Sequence, residues 1–182
     1  MLGGMLFISL TRNTVPGTVV ARHGALFASG FGQGWLASPL INSALFVDPN
    51  AISMTLLLTV LIFLSFTMSA FFSPRRQYMY LGGLLGSLLL VVLGGGLVNS
   101  FIGSTAVDTS LLYLGLGVFA FYVLYDTQLI VERAEATDNP DAVMHAYTLF
   151  TDLAAIFIRL LILFTKDKQD NRRKQRPRKD RL

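Results

Sequence analysis

Tyr125-Asp126-Thr127-Gln128, then Thr137-Asp138-Asn139-Pro140-Asp141, then Phe150-Thr151-Asp152-Leu153: an acid sits inside each of two apolar runs, and a turn-like stretch separates them. Asn139 is thirteen residues from either acid. If the runs Ser110 to Arg133 and Ala142 to Phe164 are helices folded back at Asn139, a rise of about 1.5 Å per residue carries both carboxyls roughly 15 to 20 Å from the turn. The two acids are then level, near the middle of a bilayer. A carboxylate at that depth costs at least several kcal/mol, so it marks a function.

The rest of the chain fits that setting. Of 182 residues, 53% are hydrophobic and 14% charged, and the mean hydropathy is +0.56, too apolar for an ordinary soluble domain. There is no cysteine, so disulfides, thiolate metal sites and thiol nucleophiles are excluded. The net charge of +4 is misleading, because Lys166 to Leu182 holds nine Lys or Arg against three Asp. No aromatic residue interrupts that run. It therefore reads as a basic disordered tail, 166–182, near anionic headgroups, and not as a nucleic-acid arm.

The predicted organisation is a single transmembrane domain, 1–165, with spans at about 24–47, 50–72, 78–102, 110–133 and 142–164. Met1 to Leu10 is apolar but only half a span. Asp48-Pro49 reads as a cap and first-turn proline for the second of these spans. Gly30 and Gly34, and Gly82 and Gly86, are each four apart and line helix faces for close contact. Gly94-Gly95-Gly96 is expected to weaken or bend its helix. Alternation of spans puts Arg12, Arg22, Arg75, Arg76 and Arg133 on one side, and the tail on the other unless the last segment re-enters.

Helical spacing aligns His145, Thr148, Asp152 and Arg159 in one stripe, and Tyr122, Asp126 and Arg133 in another. The hairpin pairs Arg133 with His145 in height, as it pairs the acids. Two carboxyls in so apolar a place share a proton at neutral pH. With Thr148, Gln128 and water they make at best a weak calcium contact, because calcium takes six to eight oxygens. Transit of the ion is therefore favoured over storage. Arg159, about 30 Å from the turn, reads as snorkelling to the far interface, and His145 as an interfacial histidine.

Tyr125-Asp126-Thr127-Gln128-Leu129-Ile130-Val131-Glu132, and Leu149-Phe150-Thr151-Asp152-Leu153 running on to Ile158-Arg159, resemble the Bax inhibitor family of multispanning membrane proteins. Asp48-Pro49-Asn50, Ser69-Ala70 with Arg75-Arg76, Tyr80-Leu81-Gly82-Gly83 and the basic tail extend the resemblance from about residue 21 to the end. It implies an all-α membrane protein of seven helices with the last one central, from which the first span and part of the second are absent here. It further implies residence in the endoplasmic reticulum membrane, suppression of apoptosis, and a pH-sensitive calcium leak gated by Asp126 and Asp152, with Tyr125, Gln128, His145, Thr148 and Arg159 in support. Membrane lipids, calcium and Bcl-2-type membrane proteins are the implied partners; no cofactor, nucleic acid or enzymatic activity is. The sequence departs from the animal type at Thr148, where a further acid is common, and Arg12 is a weak counterpart of the basic group that latches the acids in some members.

Two other readings remain open. One is a non-conducting scaffold that regulates cell death by binding partners through its glycine faces and tail. The other is an intramembrane aspartyl protease, although Leu149-Phe150-Thr151 stands where such enzymes carry Gly-x-Gly before the second aspartate.

Overall fold

Asp48 turns the chain between the first two long helices. Its backbone is extended, at φ −160° and ψ 107°, its side chain accepts from the N–H of Asn50 at 3.0 Å, and Pro49 follows at a position that needs no donor. The computed structural model describes residues 16–74, 76–136, 138 and 140–179. Among them it has five helices: α1 Pro16–Val47, α2 Pro49–Phe72, α3 Leu81–Ile102, α4 Thr105–Ala136 and α5 Ala142–Lys179. The half-span Met1 to Leu10, Arg12, Arg75 and the turn residue Asn139 lie outside the described residues. The chain is an all-α polytopic membrane protein.

By length and composition α2 to α5 can each cross a membrane. α1 is long enough but less apolar, since Arg22, His23, Gln33 and Asn42 interrupt it, so the expectation of five crossing runs is met by four among the described residues. α3 is unbroken from Leu81 to Ile102 despite its glycine triplet. Gly95 is the member that matters for packing: a Cβ there would come 3.0 Å from Leu111 of α4. α3 ends at Gly103, whose φ of 71° is left-handed and whose N–H bonds the carbonyl of Asn99 at 2.7 Å. Asn99 then reaches the Ser104 carbonyl at 2.9 Å and Asp108 at 2.6 Å, fixing the turn into α4.

α4 packs on α2, α3 and α5, and α5 packs on α1, α2 and α4. Among the described helices α3 meets only α4, and its outer face is bare, with Leu90 72% exposed. By contrast no residue of α5 from Thr151 to Lys166 is exposed. One reason is the cluster of Val123, Ile156 and Leu160, which draws in Leu58, Ile62, Phe63 and Phe66 of α2.

α5 continues as one helix through Lys179, so the stretch expected to be disordered from Lys166 is helical there. Lys166 donates to Thr109 at 2.9 Å, Lys168 pairs with Asp48 at 3.0 Å, and Arg172 donates to the carbonyl of Val47. These contacts give the extension partners at the end of α1, at the Asp48 turn and in the first turns of α4. Because α5 does not turn back, it emerges at the end of the bundle that holds Asp48 and Thr109, opposite Arg22, Arg76 and Arg133.

Candidate functional site

Antiparallel packing of α4 on α5 builds a seam whose layers can be read off by residue. Arg133 and His145 lie near one another at one end, and Lys166 meets Thr109 at the other. Between them Asp126 and Asp152 are neighbours across the seam. Asp152 is buried, 5% exposed, and its Oδ2 has no donor in reach; Asp126 is half-buried. Next along the seam comes an apolar layer, where Val123 and Ile156 are both fully buried. Beyond it Arg159 lies over the ring of Phe119, its guanidinium carbon 4.1 Å from the centroid.

The supporting residues divide between seam and scaffold. Thr148, half-buried, donates to its own helix at the carbonyl of Met144, 3.0 Å away. Tyr125 stacks edge-on to Tyr122 at 6.4 Å and fills the space over Gly82. Gln128 is turned away from the acids. Its Oε1 accepts from the N–H of Tyr78 at 2.6 Å and its amide donates to the Pro74 carbonyl at 3.1 Å, so it ties the α2–α3 loop to α4. That loop holds Arg76 at a left-handed φ of 63°, paired with Glu132. Beside the pair a cleft of about 620 Å³ opens between Ser73, Gln128 and Glu135.

Arg159, expected to snorkel, has its side chain folded against α4. Its Nη1 bonds the carbonyl of Ala155 at 3.1 Å, and its chain crosses α4 at Gly115, where a Cβ would come 2.7 Å from Nε. Room at Gly115 and attraction to the Phe119 ring hold the charge inside the bundle. Of the glycine pairs, a Cβ at Gly30 would come 3.7 Å from Phe150 and one at Gly82 would crowd Tyr125, while a Cβ at Gly34 or Gly86 would touch nothing within 4 Å.

Among the described residues no group of three or more His, Asp or Glu side chains could hold a metal ion. Two carboxyls can touch a passing cation but not cage one.

The family model described as "Inhibitor of apoptosis-promoting Bax1" matches residues 1–170. The chain belongs to the Bax inhibitor family. It is 35% identical to "Bax inhibitor 1" of Bos taurus over 174 residues, which is 96% of this chain and 73% of the relative. It is 39% identical to the Arabidopsis thaliana protein of that name over 82% of this chain and 60% of the relative. For the Homo sapiens protein the figures are 35%, 84% and 62%. The chain thus spans between 60% and 73% of the length of these relatives. No solved structure matches.

This Bax inhibitor family chain also carries an ion pair that sequence reasoning passed over. Arg22 of α1, fully buried, donates to Asp141 at the head of α5. An arginine nearly two turns into a helix with no other formal charge was the available signal. Its partner could not be named without the packing of α1 on α5.

Proposed function

We propose that this protein is a pH-sensitive calcium leak of the endoplasmic reticulum membrane that suppresses apoptosis, gated by Asp126 and Asp152. The observation that carries the reading is the approach of the two carboxyls inside the α4–α5 seam, with one oxygen of Asp152 buried and without a donor. Two such groups hold one proton between them, and the shared proton keeps α4 and α5 together. Losing it leaves two negative charges that repel, part the helices and attract a cation. Family membership supports the suppression of apoptosis, and the relatives' printed names speak of Bax.

Calcium flux from proteoliposomes at several pH values tests the gate. Flux should rise with pH in the native chain and lose that dependence in Asp126→Asn. Native-like flux and pH dependence in that variant would refute it. The scaffold reading draws on the exposed apolar faces of α2 and α3, on which partner membrane proteins of the Bcl-2 type, or lipids, would lie. It predicts partner co-purification with no flux in any state.

A further inference from the structure

Arg159 is a charge inside the bundle with no acid beside it. None of the ion pairs among the described residues includes it. Its contacts are the carbonyl of Ala155, the face of Phe119 and the bare backbone at Gly115. If its task were only to fill space, a leucine or methionine would do so without the cost of taking a guanidinium out of water. The cation–π contact recovers only part of that cost.

The position of Arg159 gives the charge a use. On α5 it lies seven residues beyond Asp152, and on α4 Phe119 lies seven residues before Asp126, so both are about 10 Å from the acids along the same seam. They lie on the side where the seam ends at Thr109 and Lys166. A cation drawn in by the acids and moving toward that end meets the apolar layer of Val123 and Ile156, and then a fixed positive charge.

We infer that Arg159, held over Phe119 by the room at Gly115, is a charge barrier that limits cation passage along the α4–α5 seam, separate from the acid pair. The inference rests on the leak reading for the use of the route, but not for the repulsion itself. Gly115 is then a positioning residue, since any larger side chain there pushes the guanidinium off the ring.

The test is flux of calcium and of potassium from proteoliposomes holding the full chain, at one pH, with chloride flux measured alongside. The variants are Arg159→Gln, Arg159→Lys, Gly115→Ala and Asp126→Asn, each first shown to elute and melt like the native protein. Arg159→Gln should raise cation flux by about tenfold or more, because a unit charge acts strongly across a few ångströms of half-buried protein. Chloride flux should not rise with it. Arg159→Lys keeps the charge and should stay near native, while Gly115→Ala should raise cation flux by displacing the charge without removing it. Native cation flux in Arg159→Gln, with flux altered in Asp126→Asn, would overturn the barrier and leave the leak reading standing. The reverse pattern would keep the barrier and remove the acids as the gate. No change in either variant would overturn both. Equal gains in cation and chloride flux would mean a general loosening of the bundle and would also overturn the barrier.

Discussion

Arg22 and Asp141 are 119 residues apart in sequence and form an ion pair that locks the first described helix onto the head of the last. The arginine is fully buried; the aspartate, 35% exposed, also accepts from the N–H of Met144 at 3.0 Å and so caps α5. One carboxylate thus does two structural tasks. Both are lost when the side chain is removed; protonation takes away the ion pair and leaves an oxygen for the cap.

Arg22→Ala should lower the melting temperature in detergent more than Asp141→Asn does. The first removes a fully buried side chain with all of its contacts and leaves Asp141 only its cap bond from Met144. The second keeps an oxygen to accept from Met144, so the loss is that of the ion pair with little of the cap's roughly 1 kcal/mol. Equal, negligible effects of the two would show that the pair contributes nothing.

Burial alone would raise the Asp141 carboxyl, but the hydrogen bond from Arg22 and the N–H of Met144 outweigh it and hold it below the ordinary value of 3.8. A depressed value means that the folded form binds its proton less readily than the unfolded one. The stabilisation is therefore complete above pH 3.8 and is lost as pH falls through the lowered value. Melting temperature followed over that acid range should decline less in Asp141→Asn than in the native chain. Parallel curves would contradict the assignment.

Gly82→Ala should destabilise the protein by about 1 to 3 kcal/mol through overpacking. The new Cβ would stand 2.9 Å from Cε2 of Tyr125, whose ring cannot retreat without disturbing Tyr122. Gly86→Ala is the control: nothing lies within 4 Å, so the gain in helix propensity should leave stability unchanged or higher. Pairing Gly82→Ala with Tyr125→Leu should restore part of the loss, which a double-mutant cycle would read.

Gln128→Leu should free the α2–α3 loop. It leaves the half-buried N–H of Tyr78 without its partner and removes one of two donors to the Pro74 carbonyl, which the Gln77 N–H still reaches at 3.2 Å, at about 1 kcal/mol. Hydrogen exchange at the Tyr78 amide should accelerate while the seam between α4 and α5 keeps its protection. Unchanged exchange would mean that the loop holds itself.

The contacts of the α5 extension should be salt-sensitive. The Lys168 ammonium and the N–H of Asn50 hold the Asp48 carboxyl below its usual range, and both partners meet solvent, where ions screen the pair. Raising ionic strength, or changing Asp48 to Asn, should increase protease access to residues 168–172. Resistance that ignores salt and the substitution would mean that the pair is not what holds the extension.

Much of the bundle was legible because lipid imposes so few solutions. Apolar runs of a span's length must be helices, since backbone groups find no partners in hydrocarbon, and Asp48-Pro49 marks a helix start by the same local rules that operate in water. The layers of the α4–α5 seam also follow from counting, because two antiparallel helices folded about 139 bring 133 to 145 and 126 to 152 into register. Side-chain direction did not follow from counting. Arg159 lies where a snorkelling arginine begins, but whether it reaches for water or for Phe119 depends on Gly115, a residue 44 positions away whose missing side chain leaves the space. Gln128 falls two positions from an acid, yet two positions on a helix face different neighbours, and its partners come from α2 and the loop after it.

The sequence by itself determined that this chain is a helical membrane protein with two acids at one depth, because hydropathy and helical rise are local and cumulative. Only the tertiary structure decided that Arg22 joins α1 to α5, that Arg159 stays within the seam, and that no residue of α5 from Thr151 to Lys166 is exposed. Those outcomes depend on which helices touch. A charge in a low-dielectric bundle takes its partner from whichever neighbour packing brings within a few ångströms, and no local run of residues encodes that neighbour.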